Sequence, residues 1–134
     1  MIKFDNSKTI VFENIKVYKV NAAQNIFQTS QASLQIKNLK FYQVSSASDY
    51  LISSFQVNII FNLIEIIDSY PGFLVLQNSS LNLTQSFFIN NNQSMTQKNA
   101  LKIFFKTNSE FIWIQNCLFY NMFDEKNGGV IKKS

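Results

Sequence analysis

Residues 34–44, LQIKNLKFYQV, are a near copy of residues 10–20, IVFENIKVYKV, at an offset of 24. Ile10, Phe12, Asn14, Ile15, Val17 and Val20 fall on Leu34, Ile36, Asn38, Leu39, Phe41 and Val44. A third version, VNIIFNLIEII, starts 23 residues further on at Val57, and a fourth, LNLTQSFFINN, another 24 on at Leu81. A fifth, IWIQNCLFYNM, starts at Ile112 after an interval of 31, which leaves room for a polar insertion loop over residues 90–99. A repeat of this length outranks local propensity, because it makes each unit one layer of a stack.

Within a unit, Leu34-Gln-Ile36 alternates with period two, which is the signature of a strand. A second apolar pulse falls between the copies: NIFQ at Asn25, YLIS at Tyr50, FLVL at Phe73, LKIF at Leu101 and GVIK at Gly129. No segment sustains a 3.6-residue stripe beyond about two turns, so little or no helix is expected. Three short strands in one unit of this length describe one coil of a parallel β-helix, with coils stacked at the ~4.8 Å strand spacing. The expected fold is all-β, a solenoid of about five coils occupying residues 1–134 as one segment. A leucine-rich-repeat solenoid has a similar period, but here the Asn follows the alternating strand too early and the last pulse is strand-like.

Stacked coils place like on like. One inward column is expected to run Ile10, Leu34, Val57, Leu81, Ile112, and another Val17, Phe41, Ile64, Phe88, Phe119. Cys117 joins Ile15 and Leu39 in a further inward column. Asn14, Asn38 and Asn116 share a bend position, interrupted by Phe61 and Gln85, and are expected to form a partial amide ladder.

The pattern L-x-I-x-N-x-x-F with the closing GGVI resembles the right-handed parallel β-helix repeats of the pectin-lyase-like superfamily. It is most similar to the Asn- and Phe-rich versions in large surface proteins of ciliates and similar protists. That resemblance implies a right-handed coil and a longer, surface-exposed parent protein, with an extracellular or cell-surface location. The opening Ile2-Lys-Phe reads as the last strand of a preceding coil, and the closing GGVIKKS stops where the next coil's first strand should begin, so both ends look uncapped. A fragment of a longer array is the expectation, with neighbouring coils of the parent chain as its immediate partners.

Composition excludes several classes. Hydrophobic residues at 46% argue for a packed core, and 14 Phe favour strands. Only 3 Gly and 1 Pro are too few for many tight hairpins. The charge of +4 comes from scattered lysines with no Arg, which does not make a nucleic-acid surface. No apolar run reaches membrane-spanning length, so no insertion by this segment is expected. The absence of His removes His-based triads and His-ligated metals, and no cofactor is expected.

Among the superfamily's enzymes, the resemblance implies carboxylate clusters acting on polysaccharide. The 8 acidic residues here are dispersed, so no catalytic or metal site is expected. A polysaccharide-processing alternative would draw on Asp49 or Glu65. Three N-x-S/T sequons, at Asn78, Asn82 and Asn92, are candidate glycosylation sites on a secreted parent chain. Beside the aromatic column, the outward neighbours change from Lys16, Tyr18, Lys40 and Tyr42 to Leu63, Glu65, Phe87, Ile89, Leu118 and Tyr120. With outward Trp113 and Ile60, this pattern reads as an apolar interaction surface for a protein or a glycan. The competing reading is a one-residue slip that turns Phe87 inward and Phe88 outward. Tyr18, Tyr42 and Tyr120 are the candidate stacking residues for a glycan. The expected function is a non-catalytic structural or recognition module.

Overall fold

The computed structural model describes residues 2–5, 9–31, 33–48, 50–69, 72–91, 101–104, 111–121 and 131–133. Its strands are β1 (Ile2–Asp5), β2 (Thr9–Tyr18), β3 (Asn21–Ala22), β4 (Phe27–Ser30) and β5 (Ser33–Tyr42). They continue as β6 (Ser45–Ser46), β7 (Ile52–Phe55), β8 (Asn58–Ile67), β9 (Leu74–Gln77) and β10 (Ser80–Thr84). The last are β11 (Phe87–Ile89), β12 (Leu101–Phe104), β13 (Ile112–Gln115), β14 (Leu118–Tyr120) and β15 (Ile131–Lys133). Every pairing among them is parallel, and no helix occurs among the described residues.

One sheet stacks β1, β4, β7, β9, β12 and β15 in chain order. A second stacks β2, β5 and β8, then continues as the pair β10 and β11, then β13 and β14. The short β3 and β6 form a third. Successive turns of the chain lie over one another, so the protein is a parallel β-solenoid. About three turns are complete, fewer than the five expected. The shortfall lies at the ends. Ile10, Phe12, Ile15 and Val17 at one end, and Ile112, Ile114, Cys117 and Phe119 at the other, are only partly buried.

The corners explain how a chain so poor in Gly turns so often. Among the described residues, twelve that are not glycine have positive φ, between 48° and 58°. They line up in three columns: Asn14, Asn38, Leu63, Gln85 and Asn116; Lys19, Gln43, Asp68 and Asn121; Gln31, Gln56 and Asn78. One left-handed residue redirects the strand while its N–H still reaches the next coil. Gln43 donates to the Ile67 carbonyl at 3.0 Å, Gln56 to Gln77 at 3.0 Å and Gln85 to Gln115 at 3.1 Å. Asn and Asp tolerate this conformation best, because a short polar side chain bonds locally.

Inside, like does sit on like. Ile10, Leu34, Ile59, Leu81 and Ile112 stack in register, as do Val17, Phe41, Ile66, Phe88 and Phe119. Rings of Phe61, Phe73, Phe88 and Phe119 run through the core with centroids 4.8–5.8 Å apart. Buried hydroxyls close the backbone at three corners. Ser69, Ser79 and Ser86 each accept an N–H from the preceding coil at 3.1 Å and donate to the carbonyl two residues back. Each would otherwise leave a buried donor unpaired.

The third unit corrects the sequence register. Ile59, not Val57, lies over Leu34, and Ile66, not Ile64, lies over Phe41. The interval is therefore 25 residues and the next, from Ile59 to Leu81, is 22. The bend column likewise passes through Leu63 rather than Phe61, which is fully buried. The insertion beyond Asn91 lies outside the described residues as far as residue 100.

Candidate functional site

The second half of the long sheet presents two outward positions per strand level, and five stacked levels turn them into a strip. One column reads Lys16, Lys40, Glu65, Phe87, Leu118; the other reads Tyr18, Tyr42, Ile67, Ile89, Tyr120. Corner columns border both sides. Asn14, Asn38, Leu63, Gln85 and Asn116 flank the first, and Lys19, Gln43, Asp68, Asn90 and Asn121 flank the second. Aromatic and aliphatic side chains thus share the strip with Lys16, Lys40 and Glu65, between amide-rich rims. At ~4.8 Å per coil it extends ~19 Å from first rung to last.

The facing of the strip follows from alternation. Phe88 is fully buried against Phe73 and Phe119, which fixes Phe87 outward, where it is 42% exposed. Leu118 and Tyr120 flank inward Phe119 in the same way and are 48% and 58% exposed. The strand therefore keeps its face at SFFIN. Across the rungs, the Tyr18 and Tyr42 rings lie 5.8 Å apart at 45°. Lys40 Nζ donates to Glu65 Oε1 at 2.8 Å, with each side chain about a third exposed. That pair neutralises the strip's central carboxylate. Lys16 and Lys19 are exposed at the Tyr18 end.

The register correction changes the membership of the site. Glu65 and Ile67 form the outward pair of the third coil; Leu63 sits on the corner beside them, exposed and with φ of 57°. Ile67 was not recognisable as outward from the sequence, because the register slip of two residues placed it on Val20 and Val44 rather than on Tyr18 and Tyr42. Trp113 and Ile60 are exposed on the first half of the sheet, in the column Val11, Gln35, Ile60, Asn82, Trp113, around the corner from the strip.

The other candidates separate. Asn38 Nδ2 donates to Asn14 Oδ1 at 2.7 Å, which is one step of an amide ladder. The next step is broken by Leu63; beyond it Asn62 Nδ2 donates to Gln85 Oε1 at 3.1 Å and to Thr84 Oγ1 at 2.8 Å. Asn116 occupies the same corner two coils further along, beyond Gln85. Asn78 is a half-buried corner residue, and Asn82 is half-buried between Ile60 and Trp113, with its Oδ1 covered and unpaired. Asn92 and Asp49 lie outside the described residues. Cys117 faces inward, its thiol donating to the Leu83 and Gln115 carbonyls. Among the described residues no group of three or more His, Cys, Asp or Glu converges on a point that would hold a metal, and no helix is long and apolar enough to cross a membrane.

No family model, no curated protein and no solved structure matches this chain.

Proposed function

We propose that this solenoid is a non-catalytic recognition module of a larger surface protein, and that the strip from Tyr18 to Tyr120 is its working face. One observation carries this reading: at each of five stacked rungs the outward face holds an apolar or aromatic side chain (Tyr18, Tyr42, Ile67, Phe87 with Ile89, Leu118 with Tyr120), beside Lys16, Lys40 and Glu65 and between polar rims. Folding does not require it, since Lys16 and Lys40 occupy positions that Phe87 and Leu118 fill further along. An apolar centre inside a polar rim is the anatomy of a protein interface.

The test compares Phe87→Lys and Leu118→Lys with the parent chain. Both variants keep the melting temperature within a few degrees and lose proteins that the parent retains from extracts of its source cells. Unfolding of both variants, or identical retained proteins, overturns the reading.

A carbohydrate ligand is the second reading, favoured by the Tyr18–Tyr42 ring pair beside the amides of Asn14 and Asn38. Sugar rings stack on such faces while amides bond their hydroxyls. Glycan-array binding that Tyr18→Ala and Tyr42→Ala abolish, without turnover of the bound sugar, supports it; turnover would point instead to a pectin-lyase-like enzyme. A secreted parent chain would also expose the sequon at Asn82 to glycosylation, visible as a mass increment lost in Asn82→Gln.

A further inference from the structure

We infer that the strip is self-complementary, and that its occupant is a second copy of this chain, the two solenoids lying side by side with their axes parallel. This rests on the reading of the strip as a recognition face and names what it recognises. Two copies related by a two-fold axis along the solenoid axis keep each coil level with its counterpart and exchange the two columns. Lys16 then faces Tyr18 of the second copy and Lys40 faces Tyr42, which places an ammonium against an aromatic face at two adjacent rungs. Phe87 faces Ile89 and Leu118 faces Tyr120, which closes apolar on apolar. Each contact occurs twice, as two-fold symmetry requires.

The opposite arrangement brings two carboxylates together. A two-fold axis along the strands would keep the columns and reverse the coils. Glu65 would then meet Glu65 of the second copy at the centre, while Lys16 met Leu118 and Lys40 met Phe87. In the parallel arrangement Glu65 faces Ile67 instead, and its intramolecular pair with Lys40 at 2.8 Å is kept, as it is in either arrangement.

Size is adequate for a reversible dimer. The strip runs ~19 Å along the axis and spans two outward columns with their rims, on the scale of the smaller specific interfaces. Strands of the two facing sheets run antiparallel and close to aligned, the ordinary geometry of sheets packed face to face at ~10 Å.

Sedimentation of the whole chain from about 1 to about 200 µM tests this, a range that covers micromolar association. The mass is expected to rise from 15.5 kDa towards twice that value. Phe87→Lys is expected to remain monomeric throughout with an unchanged circular dichroism spectrum, and Leu118→Lys gives the same readout should Phe87→Lys fold poorly.

Orientation is read by a short bismaleimide in a Cys117→Ser background, since facing sheets are too far apart for a disulfide. Phe87→Cys chains mixed with Ile89→Cys chains are expected to cross-link efficiently, whereas Tyr42→Cys mixed with Ile89→Cys are not. A monomer at every concentration, a dimer indifferent to both lysine variants, or preferential 42–89 cross-linking overturns the inference. A monomer whose lysine variants still lose extract proteins refutes self-pairing alone; variants without effect in either assay refute the recognition reading as well.

Discussion

Phe87 and Phe88 are adjacent, identical and placed in opposite environments, so their alanine variants measure the strand's facing directly. Phe88 is fully buried, with ring centroids 5.2 Å from Phe73 and 4.8 Å from Phe119. Removing it loses the transfer energy of the ring and leaves a cavity that neighbouring coils, pinned by ladder hydrogen bonds, cannot collapse. Such changes cost about 3–5 kcal/mol, part of it the two ring contacts at about 0.5–1.5 kcal/mol each. Phe87 is 42% exposed, so its variant forfeits only about half of a burial worth ~1.5–3 kcal/mol, or roughly 1 kcal/mol. In urea, with a slope of about 2 kcal/mol/M, the midpoints should fall by ~2 M for Phe88→Ala and ~0.5 M for Phe87→Ala. Because a whole domain has only about 5–15 kcal/mol, Phe88→Leu serves as a milder companion expected to cost under ~1.5 kcal/mol. Equal shifts, or a larger one for Phe87→Ala, would mean the strand is turned by one residue, and the strip would disappear with it.

Three other predictions concern polar groups. Thr29 Oγ1 and Ser54 Oγ share a buried 3.0 Å hydrogen bond on neighbouring coils; Thr29→Val alone should cost about 1–3 kcal/mol and the Thr29→Val/Ser54→Ala pair much less, a double-mutant cycle that chemical denaturation resolves. Ser86→Ala removes the acceptor of the Ile64 N–H and should destabilise by about 1–3 kcal/mol, with faster amide exchange at Ile64 as the local sign. The Lys40–Glu65 coupling should be under about 1 kcal/mol and shrink in high salt; a salt-independent coupling above that size would refute its placement at the surface.

The winding of the chain was legible because stacking forces like residues to recur, and the first two units recur without a gap. Their pairing in the structure follows the 24-residue offset from Thr9↔Ser33 to Tyr18↔Tyr42. The third unit was misread by two residues for a definite reason. A slip of one reverses every side chain, but a slip of two keeps each on its proper face, so alternation cannot detect it. Val57, Ile59 and Phe61 are all buried, which makes either start acceptable to the pattern. What distinguishes them is the corner, and there the sequence carries a false marker. Asn62 is the Asn of the unit, yet the left-handed residue is Leu63. The serine corners were silent for a similar reason: Ser69 replaces the Val20 and Val44 of earlier coils, and nothing local separates a hydroxyl that caps a backbone N–H from one facing water.

Leu63 shows where the fold and the surface pull apart. At this corner the coils before it carry Asn14 and Asn38 and those after it Gln85 and Asn116, residues suited to a left-handed turn or to amide bonding across coils. A leucine here adopts a conformation that disfavours branched-chain bulk by about 1–2 kcal/mol, relative to the helical basin. It also interrupts the amide run that joins Asn14 to Asn38 on one side and Asn62 to Gln85 on the other. Core packing gives no compensation of the kind it gives Phe61 or Ile64, because Leu63 is exposed. The residue is thus a costly choice for this corner, and under the proposed recognition reading its apolar side chain would serve a partner. It stands at the edge of the strip, one coil from Phe87, where an apolar side chain widens the surface by a corner position. In a stack whose inward residues are dictated by their neighbours, specificity of the proposed recognition would have to be written on outward and corner positions, and Leu63 is one of them.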